Sequence, residues 1–167
     1  MPHTNDSETP RDPVLVACLA RTRLAVLNVL VGVGLAIALG GVLLRGRAEV
    51  HRPPPPDGLP DAWMSGLLAL ILASCVLRSV LTRRAPYVAP GRRASAFFWA
   101  HVLPAAVIAW AAPLGIAYGW WVNPRLDQGV WRFWGVALAL GFLFLPRSSE
   151  IDAFHGPTPE PSGASSP

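Results

Sequence analysis

The sequence predicts an all-α integral membrane protein, a bundle of four transmembrane helices with disordered polar N- and C-terminal tails. Three observations lead to this prediction. The 167-residue chain is 52% hydrophobic and only 14% charged, whereas an average soluble domain is about 25% charged. Its apolar residues are gathered into four long runs. None of the runs alternates as a membrane β-strand does, so helices must satisfy the backbone amides within lipid.

The first two runs, residues 24–44 and 62–82, each have the length of one membrane span. At about 1.5 Å per helical residue each is roughly 32 Å long, close to the hydrocarbon thickness of about 30 Å. The first run carries no charge, and the second carries only Arg78 near its end. A long arginine side chain in that position reaches the lipid headgroups, so both runs are predicted to cross the membrane.

The third and fourth runs depart from this standard length. Residues 96–122 are uncharged and would make a helix of about 40 Å, so this helix must tilt, bend or protrude. Pro104 and Pro113 predict kinks, because each proline lacks the amide that would bond four residues back. Residues 130–146 form the shortest run, with Arg132 near its start.

The remaining segments are predicted to be tails and loops around a transmembrane domain of residues 13–146. Residues 1–12 and 147–167 are polar or rich in proline and serine, which indicates disordered tails. Asp12 followed by Pro13 is a helix-start signal, so the first helix is predicted to begin near Pro13. Asp61 is the expected N-cap of the second span.

Arginine distribution predicts that both termini lie in the cytoplasm. Four spans place both termini on one side, and positively charged residues favour the cytoplasmic side. The terminal side holds nine arginines: Arg11, Arg21, Arg23, Arg78, Arg83, Arg84, Arg92, Arg93 and Arg147. The opposite side holds five: Arg45, Arg47, Arg52, Arg125 and Arg132.

Aromatic residues are predicted to form belts at the two membrane interfaces. The outer belt comprises Trp63, Trp120, Trp121, Trp131 and Trp134, and the inner belt comprises Phe97, Phe98 and Trp99. All 14 basic residues are arginine, a usage that suggests a G+C-rich bacterial genome. The predicted location is therefore the bacterial cytoplasmic membrane.

The net charge of +4 does not predict nucleic-acid binding, because the arginines are explained by topology and by anionic headgroups. Those expected to contact headgroups, or an acidic partner, are Arg78, Arg83, Arg84, Arg92 and Arg93.

Three polar side chains occur at similar depth in the predicted spans. Asn28, Ser74 and His101 each lie a few residues from the cytoplasmic end of their helix. We expect them to form an intramembrane polar cluster, either as interhelical hydrogen bonds or as part of a substrate site.

No catalytic, cofactor or metal site is predicted. His101 is the only histidine within a span, so the second axial ligand of a membrane haem is missing. No carboxylate lies within any span, which disfavours proton- or cation-coupled transport. The residues before Cys18 are too acidic for a lipoprotein signal.

The sequence therefore favours a non-catalytic accessory, assembly or scaffolding subunit of a membrane complex, with a membrane-protein partner or a second copy of itself. The alternative is a small transporter or channel that uses the proline-kinked third helix and the polar cluster near His101. A weaker alternative is a lipid-handling enzyme. A coupled transporter requires ionisable groups that converge in the core, and only His101 qualifies.

Overall fold

The computed structural model describes residues 13–46, 56–84, 87–123 and 129–155, and these residues are helical with no strand among them. The helices are α1 (Pro13–Arg45), α2 (Leu59–Arg84), α3 (Arg93–Ala109), α4 (Ala111–Trp121), α5 (Trp131–Leu143) and α6 (Ser148–His155). A short 3₁₀ turn, Pro90–Arg92, precedes α3.

The two predicted helix starts have different outcomes. Helix α1 begins at Pro13 as predicted, because the fixed φ of proline suits the first helical turn. Helix α2 begins at Leu59, two residues before the predicted N-cap. Asp61 therefore lies within the first turn of α2 and not at the N-cap. Its negative charge there interacts favourably with the positive end of the helix dipole.

Three helical segments are long and apolar enough to cross a membrane: Val16–Arg45, Leu59–Arg84 and Pro90–Trp121. Helix α5 occupies the fourth apolar run but has only 13 residues, or about 20 Å. The all-helical class and three membrane-compatible helices are thus confirmed, whereas the count of four spans is not.

The third apolar run is broken, as its length and prolines predict. Helix α3 ends at Ala109 and α4 begins at Ala111. Between them, the Trp110 amide donates to Val107 O at 3.3 Å, three residues back, in place of the α-helical bond. Pro113 follows three residues later and has no amide for Ala109 O. Pro104, in contrast, lies within α3 without ending it.

The long helices run in alternating directions, so the bundle has two chemically different ends. At one end the start of α1 meets the start of α3, where Cys18 Sγ donates to Ala94 O at 3.1 Å. Arg23 Nε donates there to Pro146 O, just after α5, at 3.1 Å. We call this the Glu150 end. At the opposite end, the Tyr118 end, the rings of Trp63 and Tyr118 meet edge to face, 6.4 Å apart.

The Tyr118 end is a close-packed aromatic core. Tyr118 and Phe133 are both buried, with ring centroids 5.3 Å apart. Helix α4 approaches α5 so closely at Gly115 that a Cβ there would lie 2.8 Å from Phe133 Cβ. Trp134 is buried and its indole Nε1 donates to Ala112 O at 3.3 Å. Only a residue without a side chain allows this approach of α4 to α5.

The predicted aromatic belts require correction because several of their members face inward. Trp134 and Phe97 are buried, and Trp63 packs against the core. Exposed members are Trp99, Trp120, Trp121 and Trp131. Residue number fixes the height of each ring along its helix, but the direction of each ring depends on the helical face it occupies.

The C-terminal region also differs from its prediction. Residues 148–155 form α6, although the sequence predicts a disordered tail from Arg147. Ile151 is buried and joins Leu19, Phe97 and Ala100 in a small apolar cluster. The tail predictions for residues 1–12 and 156–167 fall outside the described residues.

Candidate functional site

Three ionisable side chains from three helices meet at the Glu150 end. Arg78 comes from α2, His101 from α3 and Glu150 from α6. Glu150 lies between the other two, with Oε1 2.7 Å from Arg78 Nη2 and Oε2 2.8 Å from His101 Nε2. We call these residues the Arg78–His101–Glu150 cluster.

The start of α6 sets the position of Glu150. Arg147 precedes the first helical residue, Ser148, and its backbone N–H donates to Glu150 Oε2 at 3.1 Å. This is the glutamate half of a capping box, in which the third residue of a helix satisfies the amide of the N-cap. The same carboxylate therefore begins α6 and joins it to α2 and α3.

His101 is the buried member of the cluster. Its side chain is 0% exposed, compared with 19% for Arg78 and 31% for Glu150. Nδ1 lies 2.9 Å from Phe97 O, and since a carbonyl oxygen only accepts, Nδ1 carries a hydrogen. Nε2 lies 2.8 Å from Glu150 Oε2. Both ring nitrogens are then occupied by the protein itself.

Arg78 joins the cluster to the end of α5. Nη1 donates to Leu143 O at 2.7 Å, one of the last carbonyls of α5, which have no partner within the helix. The guanidinium carbon lies 5.2 Å from the centre of the Phe144 ring, in cation–π geometry. One arginine therefore caps α5 and contacts α6 at the same time.

Opposing effects set the pKa of Glu150, and their sum lowers it below its ordinary value. Burial raises the pKa, because it disfavours the charged carboxylate. The hydrogen bonds from His101 and the Arg147 amide, together with the positive charges of Arg78 and His101, lower it by more. Glu150 is therefore ionised at neutral pH.

Two open clefts flank this end of the bundle. One, of about 380 Å³, lies beside the cluster and is lined by residues that include Arg78, Thr82, Arg147 and Glu150. The other, of about 500 Å³, lies between the starts of α1 and α3 and is lined by residues that include Arg21, Phe98 and Trp99. His101 lines neither cleft. The cluster is thus arranged to hold helices together, with its histidine withdrawn from both openings.

The predicted polar cluster of Asn28, Ser74 and His101 must be corrected. Ser74 is buried, but its hydroxyl donates to Ile71 O of its own helix at 2.9 Å. The Asn28 side chain is exposed on the outer side of α1. Within the described residues, no hydrogen bond joins any two of the three. Similar depth did not bring them together, because the three side chains point in different directions around their helix axes.

The predicted headgroup or partner contacts divide into two groups. Arg83, Arg84 and Arg92 are exposed and remain available for such contacts. Arg78 instead uses its guanidinium within the fold, and Arg93 is half-buried with an interaction of its own. Arg78 therefore has a role within the fold, and the prediction of headgroup or partner contacts stays untested for all five arginines.

Glu150 is the residue of this site that sequence reasoning missed. It lies outside every apolar run and was assigned to the disordered tail. A local signal was present, because an acidic residue in the first turn after Pro146, followed by the apolar Ile151, is typical of a helix start. Nothing local indicates that this helix folds back onto His101.

The described residues contain no group of three or more His, Cys, Asp or Glu side chains close enough to hold a metal ion. No family model matches the chain, and no curated protein or solved structure matches it either. The functional argument therefore depends on the chain's own geometry.

Proposed function

We propose that this chain is a multi-pass protein of the bacterial cytoplasmic membrane that serves a larger membrane complex as a non-catalytic accessory, assembly or scaffolding subunit. In this proposal α1, α2, the α3–α4 pair and the short α5 each cross the bilayer, with both termini in the cytoplasm. The observation that carries it is the Arg78–His101–Glu150 cluster. Its polar groups bond to one another and to the backbone, so they are engaged in fixing α6 to the bundle.

Charge distribution supports the proposed orientation. Nine of the 14 arginines belong to the segments on the terminal side of the predicted spans and five to the opposite side. Among the described arginines, Arg78, Arg83 and Arg84 lie at or near the Glu150 end, whereas Arg45 and Arg132 lie near the Tyr118 end. Such an excess is typical of the cytoplasmic end of a membrane protein. The short α5 can cross if its flanking residues extend it or if the bilayer thins locally.

The exposed surface of the Glu150 end supports a docking role. Arg83 and Arg84 end α2, and Arg92 ends the 3₁₀ turn that leads into α3. Their exposed positive charges would attract an acidic surface of a partner or anionic headgroups. The fixed helix α6 lies at the same end, so the cluster gives this docking surface a defined shape.

Membrane insertion and orientation are tested first, with the full chain. We expect it to stay in the membrane fraction after an alkaline carbonate wash, and a reporter fused to the C-terminus to report a cytoplasmic location. Extraction by carbonate would contradict the membrane proposal, and a periplasmic reporter signal would contradict the orientation.

The accessory role is tested by purification in a mild detergent. We expect a membrane protein to co-purify in fixed stoichiometry with the wild-type chain. Neutralising Arg83, Arg84 and Arg92 to glutamine is expected to weaken this association, since it removes three charges from the proposed docking surface. Arg45→Gln with Arg132→Gln is the matched control at the opposite end, with orientation measured for both variants. A wild-type chain that purifies without a partner would contradict the accessory role.

A small transporter or channel is the second candidate, and one observation favours it. Ionisable groups converge at His101, because Glu150 of α6, outside the predicted spans, reaches its ring. The helix break at Trp110 lies further along the same apolar run as His101. The test is proton-dependent flux in reconstituted vesicles, with His101→Gln as the variant. A flux that requires His101 would favour transport over the accessory role.

A further inference from the structure

The smaller of the two clefts at the Glu150 end has a lining of two kinds. It lies where α2 meets the end of α5 and the start of α6, and its volume is about 380 Å³. Its polar lining includes Arg78, Ser79 and Arg147, and its apolar lining includes Leu143 and Phe144. Such a lining suits a molecule that carries a charged group and an apolar part together.

The polar part of this cleft retains hydrogen-bond donors. The Arg78 guanidinium has five N–H groups, of which one donates to Leu143 O and one to Glu150 Oε1. The described residues do not engage its other three N–H groups. Arg147 is exposed, and within the described part of the chain its guanidinium forms no hydrogen bond or ion pair. Two guanidinium groups can therefore donate to an acceptor in the cleft.

The charge of the cleft favours an anion as that acceptor. Glu150 is the carboxylate in the lining. Its Oε1 lies 2.7 Å from Arg78 Nη2, and its Oε2 lies 2.8 Å from His101 Nε2 and 3.1 Å from the backbone N of Arg147. Both carboxylate oxygens thus already have protein partners. Two guanidinium charges against one carboxylate leave one excess positive charge, so an anion gains more here than a cation or a neutral molecule.

The position of the cleft along α2 places it at the level of lipid headgroups. Helix α2 is long and apolar enough to cross a membrane and ends at Arg84, so Arg78 and Ser79 lie within its last two turns. If α2 crosses the bilayer, which is the premise taken from the proposed function, these turns reach the cytoplasmic interface. Leu143 is 53% exposed beside the same cleft, where it can contact an acyl chain.

We propose that this cleft binds the phosphate group of an anionic phospholipid from the cytoplasmic leaflet. The phosphate oxygens accept charge-assisted hydrogen bonds from Arg78 and Arg147, which guanidinium groups favour, and a hydrogen bond from the Ser79 hydroxyl. The acyl chains extend past Leu143 into the bilayer. A lipid held in this way contacts α2, the end of α5 and the start of α6, so it stabilises the same end of the bundle as the Arg78–His101–Glu150 cluster.

The lining distinguishes this occupant from others. Water carries no charge and an apolar helix offers no acceptor, so neither uses the guanidinium donors and the excess charge together. A soluble phosphate leaves Leu143 and Phe144 uncovered. The ammonium of a zwitterionic lipid is repelled by the two guanidinium groups, and the carboxylate that would attract it already has partners.

The experiment measures lipid-dependent unfolding of the full chain in an uncharged detergent. Phosphatidylglycerol, whose phosphate carries a single negative charge, is added in increasing amounts, and the unfolding temperature is followed by tryptophan fluorescence. We expect a rise of about 3–6 °C at roughly ten times the dissociation constant. Phosphatidylcholine with the same acyl chains and inorganic phosphate are the comparison ligands, and both are expected to have little effect.

Two variants test the assigned residues. Arg147→Gln removes one charge from the cleft but keeps the backbone N–H that bonds to Glu150, and is expected to raise the dissociation constant for phosphatidylglycerol about 5-fold. Ser79→Asp places a competing negative charge in the cleft and is expected to abolish the response. The matched controls are Arg21→Gln, in the other cleft at the same end, and Ser149→Asp, at an exposed position outside the lining. Both are expected to keep the wild-type response.

The outcomes separate this inference from the proposed function. A chain that stays in membranes but does not respond to phosphatidylglycerol overturns the lipid site alone. An equal response to phosphatidylcholine overturns the preference for an anionic headgroup, and an equal response to inorganic phosphate overturns the lipid as the source. An unchanged dissociation constant in Arg147→Gln overturns the assigned cleft. If that variant instead lost a co-purifying protein and kept its response, the cleft would bind an acidic partner. Extraction of the wild-type chain by carbonate would overturn both proposals.

Discussion

The two ends of the bundle are held together by different physical interactions. At the Glu150 end, three ionisable side chains and two arginine-to-carbonyl bonds join α1, α2, α3 and α6 to the end of α5. At the Tyr118 end, aromatic rings pack where glycine lets α4 approach α5. One end therefore depends on charge and the other on shape. We therefore expect the stability of the Glu150 end to depend on protonation and that of the Tyr118 end to depend on side-chain volume.

The largest effect is expected when the central carboxylate of the Glu150 end is removed. Glu150→Ala leaves the buried Nε2 of His101 and one nitrogen of Arg78 without a partner. Loss of hydrogen bonds to charged groups costs about 1.5–3 kcal/mol each, and partial exposure reduces this. We expect the free energy of unfolding in detergent, followed by tryptophan fluorescence, to fall by about 2 kcal/mol, and α6 to become more susceptible to proteolysis.

The control for this variant is Ser149→Ala, which changes an exposed neighbour on the same helix. It is expected to shift the free energy of unfolding by less than about 0.5 kcal/mol. Equal free energies of unfolding for Glu150→Ala and Ser149→Ala would contradict a stabilising role of the Arg78–His101–Glu150 cluster.

The Tyr118 end is tested by adding one methyl group to a glycine. In Gly115→Ala the new Cβ would lie 2.8 Å from Phe133 Cβ, which is near the backbone and cannot move aside as a flexible side-chain tip would. We expect a loss of about 1–2 kcal/mol, typical of overpacking. Gly135→Ala on α5 is the matched control, since a Cβ there meets nothing within 4 Å. Equal stability of the two variants would contradict the close approach of α4 and α5.

Low pH is expected to destabilise the Glu150 end and not the Tyr118 end, with a smaller effect that grows gradually as the pH falls. Because the folded pKa of Glu150 lies below its ordinary value of 4.5, its contribution to stability is complete above that value. It is lost as the pH falls through the lowered pKa. We expect the unfolding temperature of the wild-type chain to exceed that of Glu150→Gln by a constant amount down to about pH 4.5 and to approach it at lower pH.

Gly115→Ala serves as the reference for the acid experiment, because it retains the carboxylate and should keep the wild-type pH dependence. Other carboxyl groups titrate in the same range, so the informative quantity is the difference between wild type and Glu150→Gln at each pH. A difference that stays constant into acid would contradict a carboxylate stabilised by His101 and Arg78.

Local sequence signals predicted much of the fold and less of the site. The start of α1 at Pro13 and the break before Pro113 follow from the backbone restrictions of proline, which act within one helical turn. The candidate site was predicted through His101, the only histidine in an apolar run. Its actual partner, Glu150, lies 49 residues away along the chain, in a segment whose composition alone indicates disorder.

The same limit explains the errors at Asn28 and Trp134. Depth along a helix follows from residue number, but the inward or outward direction of a side chain depends on which face the neighbouring helices cover. In a helix that is apolar all round, hydrophobic periodicity does not mark the buried face. Depth alone therefore predicts Asn28 in a cluster that it does not join, and Trp134 at an interface although it lies in the core.

The sequence by itself determined that this protein is helical, that it contains helices long and apolar enough to cross a membrane, and where proline begins or breaks them. These properties depend on length, apolar content and backbone chemistry, all of which act over short distances along the chain. Only the tertiary structure decided that α6 folds back, that Arg78 and His101 share one carboxylate, and that Asn28 lies on the exposed side of α1. Those outcomes depend on how the helices rotate about their axes and pack against one another. The free energy of this packing depends on several segments that are distant in sequence, so no single segment predicts it.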